Sequence, residues 1–158
     1  MKRILIIEDE ELVREVLKKR LSKEGYEVFL AEKGEEGLEK IKKILPDLII
    51  LDLVMPKTKG FEIMKEVKRR KKLKEIPIIV ISNSGKKSEL ELAKEKGAVD
   101  WIIKTEFDIQ NILKKIKKQR VNFTQYNLQM QEEKIFRVLN KNPLLLSGKY
   151  SRKNDTCN

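Results

Sequence analysis

In the stretch "LIILDLVMPKTKG", residues 48–60, a run of apolar residues ends on one carboxylate, Asp52. A continuous apolar run is typical of a strand that helices cover on both faces of a parallel sheet. Such a strand seldom ends on a charge without a partner, because burying an unpaired carboxylate is costly. The stretch therefore predicts a central strand with a functional group, Asp52, at its carboxyl end.

Four further short apolar runs flank this strand, and segments with helical spacing separate them. The predicted strands cover residues 3–7, 26–30, 47–52, 76–82 and 99–104. Alternating strands and helices predict an α/β fold with a doubly wound parallel sheet and right-handed crossovers. In such a sheet, ligands bind beyond the carboxyl ends of the strands.

The helical segments carry apolar residues three and four positions apart, including Leu12 in the first and Leu45 in the second. Gly25 and Gly97 stand where the first and fourth helices are expected to end in a left-handed residue. Thr105 and Asp108 have the spacing of a capping box that opens the last helix.

Composition excludes several kinds of site. Cys157 is the only cysteine and there is no histidine, which excludes an internal disulfide, cysteine or histidine metal ligands and a histidine base. The net charge of +11 fits nucleic acid, an anionic surface or a lysine-rich exterior, and does not choose among them. The first hydrophobic run is too short for a signal peptide or a membrane span, so we expect a cytoplasmic protein.

The chain is long enough for one domain and an appendage. We expect a domain over residues 1–118 and an extension over residues 119–158, helical or disordered, without a recognisable output domain. The extension is too short for an independent DNA-binding domain. The basic run "KRRKKLK", residues 68–74, is interpreted as the solvated end of the third helix rather than a nucleic-acid contact.

Polar side chains stand at the carboxyl ends of four predicted strands. They are Glu8 and Asp9 after the first, Asp52 at the third, Ser82 at the fourth and Lys104 at the fifth. Ligands that are all oxygen suit a hard cation such as Mg²⁺, with Mn²⁺ as an alternative. Beside such a cation Asp52 is a candidate nucleophile, and Ser82 and Lys104 can bind phosphoryl oxygens. The set predicts phosphoryl acceptance by an aspartate.

These residues resemble the receiver domains of two-component response regulators, in the segments "ILIIEDE", "LIILDLVMPKTKG", "IPIIVISNS" and "GAVDWIIKT". The resemblance covers about residues 2–118. It implies a CheY-like, flavodoxin-like five-stranded sheet of strand order 2-1-3-4-5. It also implies a stand-alone signalling module rather than an enzyme.

The resemblance implies a role for each residue of the set. Asp52 becomes the phosphoacceptor, and Ser82 and Lys104 become the phosphate sensors. Trp101 stands where the family has its switch aromatic, on the face formed by the fourth helix, the fifth strand and the fifth helix. The implied Mg²⁺ ligands are Glu8, Asp9, Asp52 and the Val54 carbonyl.

The implied partners are a histidine kinase or phosphotransfer protein that supplies the phosphoryl group, and an unidentified downstream protein. A homodimer through the switch face or through the C-terminal extension stays open. Two other functions also stay open: a pseudo-receiver that binds through its basic surface, and a phosphohydrolase with an aspartyl-phosphate intermediate. Such enzymes usually have a second acid at the position of Val54.

Thr105 departs from the family pattern, which has a proline after the lysine. A cis bond between Lys104 and Thr105 would cost about 3–4 kcal/mol. We therefore expect either a trans bond with an altered loop or a strained bond.

Overall fold

A computed structural model describes residues 2–55 and 59–119 of the chain. Five strands alternate with five helices, in the order that the apolar runs predict. The elements are β1 (Arg3–Ile7), α1 (Glu11–Lys23), β2 (Glu27–Ala31), α2 (Gly34–Ile44), β3 (Leu48–Asp52), α3 (Gly60–Arg69), β4 (Ile78–Ser82), α4 (Lys87–Glu95), β5 (Ala98–Ile103) and α5 (residues 109–119), with a 3₁₀ turn at Lys104–Glu106 before α5.

The strands form one parallel sheet in the order β2-β1-β3-β4-β5, which confirms the predicted fold. β3 lies at its centre, and all five of its residues are buried. Ile7 of β1 pairs with Leu51 of β3. This register brings the residues that follow Ile7 and Leu51 to the same edge of the sheet.

Two apolar layers cover the sheet, one on each face. Alternate residues of β3 point to opposite faces, so Ile49 and Leu51 pack with Ile41, Ile63 and other residues of α2, α3 and α4. The opposite layer contains Ile50 and packs against α1 and α5. Since both faces are covered, the strands need continuous apolar sequence, as in residues 48–51.

The helix ends confirm the prediction from the sequence at two glycines and contradict it at the last helix. Gly25 and Gly97 follow α1 and α4 with φ of 83° and 99°, which confirms the predicted left-handed positions. The predicted capping box at Thr105 is wrong, because Thr105 lies in the 3₁₀ turn. Asp108 caps α5 instead, since its Oδ1 accepts a hydrogen bond from the Gln110 N–H at 2.9 Å.

Leu12 and Leu45 belong to the predicted apolar stripes but do not pack in the core. Leu12 is 77% exposed on α1, and Leu45 is 48% exposed. Leu45 follows the last residue of α2 with a left-handed φ of 50°, so its side chain has left the helical face. Periodicity predicted the helices correctly, but it predicted the burial of these two side chains incorrectly.

No helix within the described residues is long and apolar enough to cross a membrane. The predicted extension from residue 119 lies almost entirely outside the described residues, and only Gln119 can be placed, at the end of α5. The boundary between domain and extension stays a prediction.

We predict that Gly60 cannot be replaced without loss of stability. A Cβ there would lie 2.4 Å from the Asp52 backbone oxygen and 2.7 Å from the Leu53 Cα, and neither atom can move without shifting the end of β3. Gly60→Ala should lower the free energy of unfolding by about 1–3 kcal/mol in urea denaturation. In the control Gly85→Ala, the nearest atom is the mobile Ile103 Cδ1 at 3.1 Å. Equal losses for both variants would contradict the prediction.

Candidate functional site

Two carboxylates lie side by side at the carboxyl edge of the sheet. Glu8 follows β1 directly and Asp52 ends β3, and both are fully buried. The parallel register of β1 and β3 places them on adjacent strands. The cost of burying two negative groups so close together must be offset by a cation or a proton.

Lys104 supplies the cation. Its Nζ lies 2.9 Å from Glu8 Oε1, 2.9 Å from Asp52 Oδ2 and 2.7 Å from Glu10 Oε1, and its side chain is only 7% exposed. One ammonium at the end of β5 therefore connects β5 to β1 and β3. The predicted convergence of Lys104 on Asp52 is present in the geometry.

Glu8, Asp9 and Asp52 can together hold a metal ion. One carboxylate oxygen from each lies within 4.8 Å of the others. Glu8 Oε2 is buried and has no hydrogen-bond partner among the described residues. An unpartnered buried carboxylate oxygen is unusual in a native structure, and this oxygen is available to a metal ion. The donor set is all oxygen, so it fits Mg²⁺.

Burial dominates the electrostatics of the acidic pair. It raises the pKa of Glu8 to about 7, although the hydrogen bond from Lys104 opposes the shift. Burial also raises the pKa of Asp52, against the hydrogen bonds from the Val54 N–H and Lys104. For Lys104, burial lowers the pKa, but hydrogen bonds to Glu10, Asp52 and Glu8 outweigh it and raise the pKa above its ordinary value. Lys104 is therefore protonated at neutral pH.

The chain after β3 folds back across the site. The Val54 N–H donates to Asp52 Oδ1 at 3.0 Å, so Asp52 receives one hydrogen bond on each oxygen. Val54 also forms an isolated antiparallel bridge with Lys59, and the Gly60 N–H donates to the Leu53 carbonyl. Close approach at Gly60 thus sets the path of the chain that carries Val54.

Sequence reasoning missed two residues at this edge. Glu10 is the third partner of Lys104 and is half-exposed. The Arg14 guanidinium donates to the backbone carbonyls of Glu8 and Asp9 at 2.7 and 2.8 Å, which holds the turn between β1 and α1. An acidic run before a helix has an ordinary dipole explanation, so nothing in the sequence separated Glu10 from its neighbours.

Ser82 lies at the end of β4 as predicted, but its hydroxyl is engaged with α4. Its Oγ donates to Glu89 Oε1 at 3.0 Å and accepts from the Ser84 N–H at 3.1 Å. Within the described part of the chain it has no hydrogen bond to Asp52. Glu89 is a third residue that the sequence did not identify.

Trp101 and Thr105 flank Lys104 along the chain. Trp101 is 36% exposed on β5, and the Lys115 ammonium lies 5.6 Å from its ring centroid. The bond between Lys104 and Thr105 is trans, because the described residues contain no cis peptide. Thr105 enters the 3₁₀ turn at Lys104–Glu106, and of the two alternatives the trans bond is the correct one.

Comparison with known proteins identifies relatives of this chain and of its fold. A family model described as "Response regulator receiver domain" matches residues 4–132. Response regulator RR06 of Streptococcus pneumoniae is 37% identical over 114 residues, which cover 72% of this chain and 51% of that protein. The regulatory protein PhoP of Bacillus subtilis is 36% identical over 103 residues, covering 65% of this chain and 42% of that protein. The chain thus spans about half the length, or less, of these curated relatives.

Solved structures of a chemotaxis protein and of a response regulator have a fold similar to that of this chain. Chemotaxis protein CheY4 of Vibrio cholerae has a TM-score of 0.71 and 31% identity, covering 75% of this chain and 98% of that chain. Response regulator TrrA of Thermotoga maritima, in complex with Mg²⁺–BeF, has a TM-score of 0.67 and 37% identity, covering 75% of this chain and 99% of that chain.

We predict that Lys104 stabilises the metal-free protein. Lys104→Met would leave Glu8 and Asp52 buried without their cation, so the free energy of unfolding in EDTA should fall by about 3–5 kcal/mol. Added Mg²⁺ should restore part of this loss, because the metal binds only the folded state. The control Lys87→Met removes an exposed pair with Glu91 at 3.8 Å and should cost about 0.5 kcal/mol or less. Similar losses for the two variants would contradict the assignment.

Proposed function

The chain belongs to the response regulator receiver domain family, and from this membership we propose that Asp52 accepts a phosphoryl group in two-component signalling. The observation that carries the proposal is the position of Asp52. It is buried at the carboxyl end of β3, bonded to Lys104, with its oxygen within 4.8 Å of oxygens from Glu8 and Asp9. A carboxylate in this setting can act as a nucleophile without a base, since it carries no proton that must be removed once ionised.

The donor in this proposal is a phosphohistidine on a partner histidine kinase or phosphotransfer protein, since this chain has no histidine. An Asp52 carboxylate oxygen forms a bond to phosphorus while the P–N bond breaks. The electron pair stays on the imidazole nitrogen, which takes a proton from solvent. Hydrolysis reverses the modification, because water attacks phosphorus, the P–O bond to Asp52 breaks, and inorganic phosphate leaves.

Glu8, Asp9, Asp52 and the Val54 carbonyl are the proposed Mg²⁺ ligands. When bound, Mg²⁺ would neutralise negative charge on the phosphoryl oxygens. Lys104 already holds Asp52, and its Nζ can exchange one carboxylate partner for a phosphoryl oxygen. The proposed product is a phosphorylated signalling module, and the donor set is used for acceptance rather than for turnover of a substrate.

Ser82 is the proposed sensor of the phosphoryl group. Its hydroxyl is bonded to Glu89 of α4 in the unmodified protein. To reach a phosphoryl oxygen on Asp52, it must give up this bond, and α4 then loses a contact with the end of β4. We propose that this exchange biases a two-state equilibrium of α4, β5 and α5.

Exposed apolar side chains on α4 and β5 support this face as the partner-binding surface. Leu92, Val99 and Trp101 are at least one-third exposed. A cavity of about 80 Å³ beside Trp101 extends toward Ile112 and Lys115 of α5. We propose that a downstream protein binds here, with Trp101 as the switch residue. A homodimer through the same face is an alternative occupant.

Phosphorylation can be tested with a small-molecule donor. Incubation with acetyl phosphate should give a phosphoryl adduct by intact mass only when Mg²⁺ is present, and should change the fluorescence of Trp101, the only tryptophan. Asp52→Asn should abolish both signals. Asp47→Asn is the matched control, because Asp47 bonds the Arg3 N–H at the opposite edge of the sheet and should label normally. If no adduct forms on the wild-type protein, the proposal fails and the pseudo-receiver hypothesis replaces it.

The bond between Ser82 and Glu89 can be tested by a double-mutant cycle. Hydrogen bonds to charged groups contribute about 1.5–3 kcal/mol, so Glu89→Ala should favour the state in which Ser82 faces Asp52. We expect acetyl phosphate to label this variant faster by about tenfold. Glu89→Ala should have no such effect in a Ser82→Ala background. Glu91→Ala, an exposed acid on the same helix, should label at the wild-type rate; equal acceleration there would contradict the proposed exchange.

A further inference from the structure

A second concave surface lies at the amino edge of the sheet, away from Asp52. α2 ends before β3 begins, and α3 ends before β4 begins, so the segments after both helices meet at this edge. Between them lies a cavity of about 360 Å³, which we call the basic groove. Its lining residues are Lys42, Leu45, Arg70, Lys71, Lys72 and Leu73.

The apolar part of the basic groove depends on an unusual backbone conformation. Leu45 adopts a φ of 50°, and it is the only non-glycine residue with positive φ in the described ranges. This conformation costs roughly 1–2 kcal/mol for a residue with a side chain. The Arg3 guanidinium donates to the Leu45 carbonyl at 3.0 Å and also to the Ile44 carbonyl, which holds the turn in place. Leu45 is thereby held half-exposed at the groove while Leu73 is buried there.

Unpaired cations surround these two leucines. The ammonium groups of Lys42, Lys71 and Lys72 have no hydrogen bond or ion pair with any described residue. Arg70 shares Glu66 with Arg69, and its own contact is a longer one of 3.4 Å. The groove therefore offers an apolar contact next to three or four positive charges that are free to bind an anionic partner.

We propose that the basic groove binds an acidic, amphipathic segment of a partner protein. One large apolar side chain of that segment enters the cavity between Leu45 and Leu73, and flanking carboxylates pair with Lys42, Lys71 and Lys72. Charge complementarity selects an acidic partner, and the apolar contact selects a peptide over a simple anion. The groove lies at the other edge of the sheet, so binding does not require phosphorylation of Asp52.

Three other occupants fit the observations less well. Inorganic phosphate is bound best by helix N-termini, whereas α2 and α3 present their C-termini here. Single-stranded nucleic acid is bound on aromatic side chains, and none lines the groove. A membrane surface is bound by several projecting apolar side chains, but of the two leucines only Leu45 is appreciably exposed.

The test is fluorescence anisotropy of the whole chain with a labelled peptide in which one leucine is flanked on both sides by Glu and Asp. Lys71→Glu/Lys72→Glu should weaken binding about tenfold or more, because two attractive pairs become repulsive. Lys18→Glu/Lys19→Glu is the matched control, since it makes the same charge change at an exposed pair on α1. It should change the affinity by about twofold or less.

The apolar contact is tested separately. Leu45→Ser in the protein, or Ser in place of the peptide leucine, should each weaken binding about tenfold, as expected for one lost apolar contact. Asp52→Asn should bind the peptide as tightly as the wild type. NMR shifts on titration should be confined to residues 42–45 and 70–73, a readout that global unfolding of a variant would not reproduce.

Several outcomes would overturn the proposal. If the serine peptide binds as tightly as the leucine peptide, or the α1 control weakens binding equally, the interaction is non-specific attraction to a basic protein. Tighter binding of an oligothymidylate of equal charge, or of phosphatidylserine vesicles, with the same dependence on Lys71 and Lys72 would assign the groove to nucleic acid or membrane.

Discussion

One buried ammonium group stabilises the acidic edge of the sheet. Lys104 reaches from the end of β5 to Glu8 and Asp52 on β1 and β3, and without it two fully buried carboxylates would face each other. Their shared cation makes the burial tolerable, and the burial in turn raises the pKa of both acids. The same contact joins strands that are not all neighbours in the sheet. The same interaction thus stabilises both the site and the packing of the sheet edge.

The contacts of Lys104 also fix its orientation without a proline in the turn that follows it. Lys104 has three carboxylate partners, including Glu10, and its side chain is almost fully buried. These contacts aim the lysine into the site, and a trans bond followed by the 3₁₀ turn at Lys104–Glu106 is sufficient. The orientation of Lys104 is therefore set by side-chain contacts.

The sequence predicted the elements whose signals are local or repeated, and missed contacts between distant surface groups. Buried strands such as residues 48–52 could be predicted because a sheet covered on both faces requires continuous apolar sequence. Asp52 was identifiable because a charge ending such a strand needs a partner. Glu89 could not be identified from the sequence, since one acid in the first turn of a helix has an ordinary dipole explanation. Its hydrogen bond to Ser82 depends on how α4 packs. Leu45 was misassigned because periodicity cannot detect a helix that ends one residue early.

The parallel topology also separates charge between the two edges of the sheet. Helices run antiparallel to the strands, so their N-termini meet at the edge that carries Asp52 and their C-termini meet at the opposite edge. α1, α2, α3 and α4 each begin with an acidic first turn and end with a basic last turn, as their dipoles favour. Dipole compensation therefore explains Lys42 and Lys43 without any partner. It does not explain Lys71 and Lys72, which lie beyond the end of α3, or an exposed leucine held in a left-handed turn beside them. Those residues add positive charge and apolar surface where the helices no longer require either, and the proposed role of the basic groove rests on these two features.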